Sequence, residues 1–479
     1  MAMKRKGSSL NRKQRKELAR RLRSEDPGLE VMHPNAAGID VGNRAHSVAV
    51  RPDRDPEPVR RFECFTVDLP RMADWLQSRG VKTVAMQSTG VYWIPLFEIL
   101  ERRGFEVYLV NARHTKNLPG RKSDVPESQW LLKLHTYGLL SNSFHPTAEI
   151  RVLRTYWRQR GDHIQAISMC IQRMQKALTQ MNVQLANVIS DLSGVTGQRI
   201  VRAILAGDRD PKKLAELADP RIGASQEEIA KSLEGTWQPE LLFVLKQEMA
   251  MYDVYRERIS ECDRELQRHL KGFEDGVAGE SPKVGSTVEL LTAKASRATK
   301  RNKKAQGHAP DFHLGGELQR ISGVDLTRID GIDVMVAQTV IREVGLDMSR
   351  WKTEANFASW LGLCPDNRIS GDRVLGKGTR HVVNRAATAL RMAATTLLKS
   401  KRYLGAQYRR LRTKLGAPKA ITAMAHKLAR WVYRMLKYGQ EYVDKGMQYY
   451  DERYRDQQID LLKKKAAKLG LQLVKTPVV

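Results

Sequence analysis

Residues 38–42 read GIDVG and residues 47–51 read SVAVR, two short apolar runs of strand length. Outward from them, LPRMADWLQSRG (69–80) has helical spacing, TVAMQSTG (83–90) is strand-like, VYWIPLFEILERRG (91–104) helical, EVYLVNA (106–112) strand-like and SQWLLKLHTYGLL (128–140) helical. This alternation, from about Met32 to Leu140, predicts an α/β sheet with helices on its faces. Gly80, Gly104 and Gly138 stand where helix C-caps are expected.

The next segment changes period. Ile164, Ile167, Ile171, Met174, Leu178, Met181, Leu185, Val188 and Leu192 are spaced alternately by three and four, which predicts one helix sustained over four heptads. A second, less regular helix is expected near Leu242–Leu270, paired with the first either within one chain or between chains. From about Glu274 to Gly316 the chain is rich in Gly, Ser, Pro and Thr and carries the basic run KASRATKRNKK (294–304), the pattern of a flexible linker. Beyond it, LTRIDGIDVMVAQTVIREVG (326–345) reads as a helix-hairpin-helix, with a Gly turn and the amides of the second helix start open to a phosphate; an ordinary helix pair is the plainer alternative.

Charge narrows the function. The 479 residues contain 82 Lys plus Arg against 53 Asp plus Glu, a net charge of +29, which argues against an ordinary metabolic enzyme and for a polyanionic partner. Between Arg368 and Lys437 stand 18 Lys/Arg and the single acid Asp372. A one-sign block with apolar helix spacing predicts a folded surface facing phosphates, the alternative being a merely solubilising face. The four cysteines, Cys64, Cys170, Cys262 and Cys364, form no CxxC pair, so neither a disulfide framework nor a zinc ribbon is expected. No run reaches the roughly 18 apolar residues of a membrane span, and the basic first residues lack a signal-peptide core. A reducing cytoplasm and no membrane partner are the expectation, with a basic N-terminal helix from about Asn11 to Arg23.

Metal-assisted phosphodiester chemistry needs acids at adjacent secondary-structure ends. Asp40 ends the first strand, Gln87 holds the corresponding place in a later one, and Asp124 and Glu127 lie three apart in GRKSDVPES (120–128). Asp124 with Glu127 and Pro126 also fits a capping box with Asp124 as N-cap, and Asp40 alone fits a turn cap. Ser370 lies in the Gly-rich stretch CPDNRISGDRVLGKGTR (364–380) among Arg368, Arg373, Lys377 and Arg380, where cations could hold a phosphate for attack by the hydroxyl; a plain turn serine is the alternative. Arg121 and Lys122 beside the acids, and Arg385, Lys427 and Arg430 in the basic block, are candidate nucleic-acid contacts. Tyr92 and Trp93 are either further contacts or core aromatics.

Taken in order, AGIDVG (37–42), AMQSTGVYWIPL (85–96), GRKSDVPESQWLLKLHTYGLL (120–140), LTRIDGID (326–333), ASWLGLCPDNRISGDRVLGKGTRHVVN (358–384) and LGAPKAITAMAHKLARWVYRML (415–436) resemble the DEDD transposases of bacterial insertion sequences that are directed by a structured bridge RNA. The resemblance implies a RuvC-like, ribonuclease H type N-terminal domain whose acids hold Mg²⁺, a coiled-coil helical middle and a mainly helical C-terminal transposase domain carrying a nucleophilic serine. Asp40 matches the first acid, Asp124 the third and Ser370 the serine. Where the family pattern has Glu in E-S-T-G this chain has Gln87, which keeps an oxygen ligand but brings no charge; where it has Asp as the fourth acid this chain has Glu127, which keeps both.

The implied activity is site-specific recombination through a covalent serine-DNA ester. The implied partners are bridge RNA, donor and target duplex DNA, and further copies of the chain as a dimer and a synaptic tetramer. The implied setting is bacterial and nucleoid-associated. The expected parts are a basic N-terminal extension (1–33), the RuvC-like domain (34–148), the coiled-coil domain (149–273), the linker (274–316), the serine-bearing domain (317–440) and a helical tail (441–479). Two other functions fit the same residues: a metal-dependent, structure-selective nuclease that uses water in place of Ser370, and a binder of RNA and DNA disabled by Gln87.

Overall fold

The computed structural model describes residues 17–18, 20–21, 28–111, 126–275, 309–370, 373–376, 378–380, 382–439 and 446–472. These fall into two compact units, Met1–His145 and Pro146–Val479.

In the first unit, β1 (Ala36–Val41), β2 (Ala45–Val50) and β3 (Val59–Glu63) are followed by α1 (Asp68–Ser78), β4 (Thr83–Gln87), α2 (Trp93–Arg102), β5 (Glu106–Val110) and α3 (Glu127–Thr136). The strands form one sheet in the order β3-β2-β1-β4-β5. β1 pairs antiparallel with β2 and parallel with β4, β2 pairs antiparallel with β3, and β4 pairs parallel with β5. This mixed five-stranded sheet is compatible with a ribonuclease H-like domain. Gly80, Gly104 and Gly138 all have positive φ after helix ends, the place the sequence assigned them.

Both faces of β1 are covered, as buried parallel pairing requires. On one face Ala37, Ile39 and Val41 join Val84, Met86, Leu69, Met72, Leu76, Leu96 and Leu100, which seats α1 and α2. The other face receives α3. Trp130, Leu131 and Leu134 pack with Ala85 and Val110, and Leu132 packs with Ala36 and Ala49. Gly38 makes this possible, because a Cβ there would lie 2.3 Å from both the Leu132 nitrogen and the Ser128 carbonyl oxygen. At the other end of α3, His135 is fully buried, its Nε2 lies 2.9 Å from Thr83 Oγ1, and burial pushes its pKa down to about 3. His135 is therefore a neutral core side chain.

Among the described residues the second unit is helical apart from one hairpin. It contains α4 (Ala148–Gln180), α5 (Val195–Leu205), α6 (Pro211–Glu216), α7 (Gln226–Ser232), α8 (Pro239–Lys271), α9 (Leu314–Ser322), α10 (Val334–Val344), α11 (Glu354–Trp360), β6 (Arg368–Ser370), β7 (Arg373–Gly376), α12 (Arg385–Thr396), α13 (Tyr403–Leu415), α14 (Ala417–Tyr438) and α15 (Gly446–Lys468). The long helices α4 and α8 pack on each other within one chain through Ile167, Cys170, Met174, Leu245, Met249 and Tyr252. Their seam also contains a buried ion pair, Arg160 Nε to Asp263 Oδ1 at 2.5 Å.

Three sequence expectations are corrected here. The heptad spacing from Ile164 to Leu192 is not one helix, because α4 stops at Gln180 and Asn182 adopts φ 60°, which turns the chain; Leu185 and Leu192 remain buried, but in the core made with α5 to α7. The linker expected to run to Gly316 already contains the start of α9 at Leu314, while the basic run 294–304 lies outside the described residues. The amides at the start of α10 are not all open, since Asp333 caps that helix and accepts from the Val336 N–H at 2.8 Å. The preceding turn at Gly331, φ 90°, packs instead against Ala393 and Leu397 of the α12 region.

The Gly38 contact sets a test. Gly38→Ala forces strand and helix apart and should cost upwards of about 2 kcal/mol in urea unfolding followed by circular dichroism. Gly104→Ala, at φ 80° with open space around it, should cost only about 1 to 2 kcal/mol, the ordinary left-handed penalty. Equal tolerance of the two would show that the α3 contact is not tight.

Candidate active site

The acid site is built at the carboxyl ends of parallel strands β1 and β4, where ligands of open α/β sheets usually bind. Asp40 is two residues beyond Gly38 and so projects from the same face of β1, the face that receives α3. Across the sheet it is in register with Ser47, whose hydroxyl lies 3.0 Å from that of Ser128 in α3. Ile39 is in register with Met86, which puts Gln87 beside Asp40 on the neighbouring strand. Gln87 is buried, and its Nε2 donates to Glu127 Oε1. Asp40, Ser47, Ser128, Glu127 and Gln87 thus close a ring across three strands and one helix start.

Glu127 is the first residue of α3 and Pro126 its N-cap, in an extended conformation with no side-chain cap. The capping-box alternative, with Asp124 as N-cap, is therefore not what starts this helix. The Glu127 carboxylate instead sits in the first turn, beside the positive end of the helix dipole. Asp124, Arg121 and Lys122 lie outside the described residues.

The donor set is purely oxygen where it is chemically able to ligate: two carboxylates and one amide. That fits a hard divalent cation such as Mg²⁺. Gln87 is the exception in detail, because an amide nitrogen cannot ligate a cation; joining Glu127 at a metal requires the amide to turn over and present its oxygen. Among the described residues no group of three His, Cys, Asp or Glu is gathered for a metal.

The rim after Gln87 divides. Trp93 is a packing residue, donating to the Gly90 carbonyl at 3.1 Å and meeting Phe97 and His145 edge-on. Tyr92 is 47% exposed and flanked by exposed Val91 and Ile94. Of the two aromatics, Tyr92 is the one able to meet a ligand.

Ser370 lies in the second unit. It ends β6 and is in register with Arg373 of β7, so the Gly-rich stretch is a β-hairpin rather than an open loop. Pro365 and Thr379 bridge its base, and the Asp366 N–H donates to the Gly378 carbonyl at 2.7 Å. Arg373 and Arg380 are exposed, and the Arg380 guanidinium donates to the Ser359 carbonyl. Lys377 lies outside the described residues, and Arg368 is described by its backbone alone.

The other candidate cations separate into two groups. Arg385 is exposed in the first turn of α12, which Asn384 caps. Arg430 is tied with Arg434 to Glu354, which lies well below the usual carboxylate range because both guanidiniums hydrogen-bond to it. Lys427 donates to Gln407 and lies 4.6 Å from the centre of the Tyr403 ring; burial lowers its pKa to about 8. Part of the one-sign block is thus spent inside the fold. Sequence reading missed Ser47 and Ser128, though Ser128 stands next to Glu127, and Ser47 directly opposite Asp40 becomes visible only with the strand register.

Comparison with known families bears on both regions. Residues 37–183 match a DEDD transposase model described as Transposase, and residues 325–409 match the model of the Transposase IS116/IS110/IS902 family. The first match contains Asp40, Gln87 and Glu127 and the second contains Ser370, so the protein is an enzyme acting on DNA, of the transposase class. More particularly, it carries the transposase domains of the IS110 family. No curated protein matches the chain. Among the described residues no helix is long and apolar enough to cross a membrane.

The Gln87–Glu127 contact gives the test of the donor set. Gln87→Glu brings two carboxylates together, which should lower stability in EDTA by about 1 to 3 kcal/mol. Added Mg²⁺ should then raise the melting temperature of this variant more than that of the unaltered chain. Equal responses to Mg²⁺ would place the cation elsewhere.

Proposed function

We propose that this transposase is an RNA-guided, site-specific recombinase that joins donor and target DNA through a serine-DNA ester. The observation that carries the reading is the meeting of Asp40, Gln87 and Glu127 at the carboxyl ends of β1 and β4. The supporting ones are the hairpin that holds Ser370 opposite Arg373 and the sequence resemblance set out above. In this reading the sheet is a RuvC-like domain.

The chemistry follows from the residues. Ser370 Oγ attacks the phosphorus, a bridging P–O bond of the DNA breaks, and the released deoxyribose oxygen takes up a proton in place of the one Ser370 gives up. The phosphoester count is unchanged, so the reverse attack by a new strand hydroxyl rejoins DNA without ATP. Arg373 and Arg380, both exposed, neutralise the phosphate for that attack. Asp40, Gln87, Asp124 and Glu127 are the residues that would hold Mg²⁺, whose contribution is Lewis-acid neutralisation of charge on the reacting phosphate. Gln87 fixes the Glu127 carboxylate through its amide, and Ser128 ties the same helix start to Ser47 opposite Asp40.

Sequence choice is delegated to base pairing with a structured bridge RNA, which leaves the protein to grip backbone. The net charge of +29, without a zinc-ligand pattern among its cysteines, suits that division. The working form is a homo-oligomer, a dimer that becomes a tetramer on synapsis. One observation favours a second reading: the same Gln87 amide that donates to Glu127 also lessens the charge available to a metal, as in a binder without chemistry.

The test is recombination of donor and target DNA with cognate RNA and Mg²⁺. Asp40→Ala and Ser370→Ala should each reduce product by at least about a thousandfold while RNA binding is unchanged. Normal recombination by either variant would remove that residue from the mechanism, and RNA binding by the unaltered chain without any product would favour the inert binder.

A further inference from the structure

The start of α4 and the end of α10 bring three guanidiniums around one carboxylate, and the first turn of α12 places a fourth, Arg385, close enough for its charge to act on two of them. Arg154 and Arg158 lie one turn apart on α4, Arg342 and Glu343 close α10, and Arg385 opens α12. Glu343 Oε2 is 3.5 Å from Arg154 Nη2 and 3.8 Å from Arg158 Nη2, while its Oε1 is 3.6 Å from Arg342 Nε. These are ion pairs at the long end, and Glu343 Oε1 and Arg342 Nε are both buried without a hydrogen-bond partner. The side chains of Arg154, Arg342 and Glu343 are only 18, 16 and 11% exposed.

Capping explains only part of this. Arg154 donates to the Arg342 and Glu343 carbonyls at 3.3 and 3.1 Å, a normal cation at a helix C-terminus. It gives no reason for Arg158, Arg342 and Arg385 to share the same place. Burial makes both Arg154 and Arg342 lose protons more readily; Glu343 opposes this, and the fields of Arg158 and Arg385 add to it. Among the described residues the ion pairs set three cations, with a fourth beside them, against one anion in a half-buried place, and guanidiniums in this number match the oxygens of a phosphate.

We propose that Arg154, Arg158, Arg342 and Arg385 form a binding site for a nucleic-acid backbone phosphate, with Glu343 as the internal anion that holds the guanidiniums together until the phosphate enters. Arg154 and Arg342 form its fixed, desolvated floor, while exposed Arg158 and Arg385 form the mouth. A phosphodiester in the mouth adds negative charge and supplies acceptors. The site rests on the chain's action on nucleic acid, and it reads backbone without regard to base.

The test measures binding by the full chain to a labelled RNA hairpin and, separately, to a labelled duplex DNA over a series of salt concentrations. Arg158→Gln with Arg385→Gln, at exposed positions, should weaken binding about tenfold and make the salt dependence shallower by about one to two phosphate contacts. A control with the same charge loss, Arg221→Gln with Arg268→Gln, at exposed arginines paired with Asp219 and Glu265, should change affinity less than about twofold. Loss confined to the RNA arm assigns the phosphate to RNA, and loss confined to the DNA arm assigns it to DNA. Unchanged affinity and slope in both arms, or an equal loss in the control, would overturn the site. If the unaltered chain bound neither probe, the nucleic-acid reading itself would fail, a different result from a silent double variant.

Discussion

The architecture of the first unit depends on one close approach, that of α3 to β1 at Gly38. With a Cβ there 2.3 Å from two backbone atoms, no other residue lets the helix sit this low on the sheet. Its height decides the chemistry. Lowering α3 onto β1 brings Ser128 to Ser47 and Glu127 to Gln87, so residues from distant parts of the chain meet Asp40 at the carboxyl ends of β1 and β4. The apolar seal of Trp130, Leu131, Leu132 and Leu134 provides the energy of docking, but the glycine sets the register.

Charge is organised differently in the second unit. Its many cations do not form a uniform surface: Glu354 gathers Arg430 and Arg434, Glu343 gathers Arg154, Arg158 and Arg342, and Asp263 neutralises Arg160. At Asp263 the pairing is direct and buried, one cation to one anion, and it fixes the register of α4 on α8. At Glu343 the cations outnumber the anion, and this imbalance separates a structural ion pair from a place for an outside phosphate. Lys427 is a further case, where proximity in sequence to other cations conceals a half-buried packing role.

Much of the first unit was legible because its period is plain. GIDVG, TVAMQ and EVYLV became β1, β4 and β5, and the glycines at 80, 104 and 138 became the turns after helices. The position of Asp40 at a strand end followed directly, as did that of Gln87. The contact between Gln87 and Glu127 was not legible, since it depends on how deep α3 sits, and that is written in a single small side chain. The heptad run misled for a related reason: the spacing of Leu185 and Leu192 reports burial, and burial continues after Asn182 turns the helix aside. Likewise the Gly-rich surroundings of Ser370 conceal strand pairing that only the alignment of Ser370 with Arg373 reveals.

The central claim is that Ser370 is the nucleophile of a phosphoryl transfer. Its most direct measurement is a denaturing gel of the full chain incubated with cognate RNA, both DNAs and Mg²⁺, searched for a covalent protein-DNA band. A serine-DNA ester at Ser370 gives such a band in the unaltered chain and none in Ser370→Ala. Free cleaved DNA ends without the band, or the same band after loss of the serine hydroxyl, would contradict it.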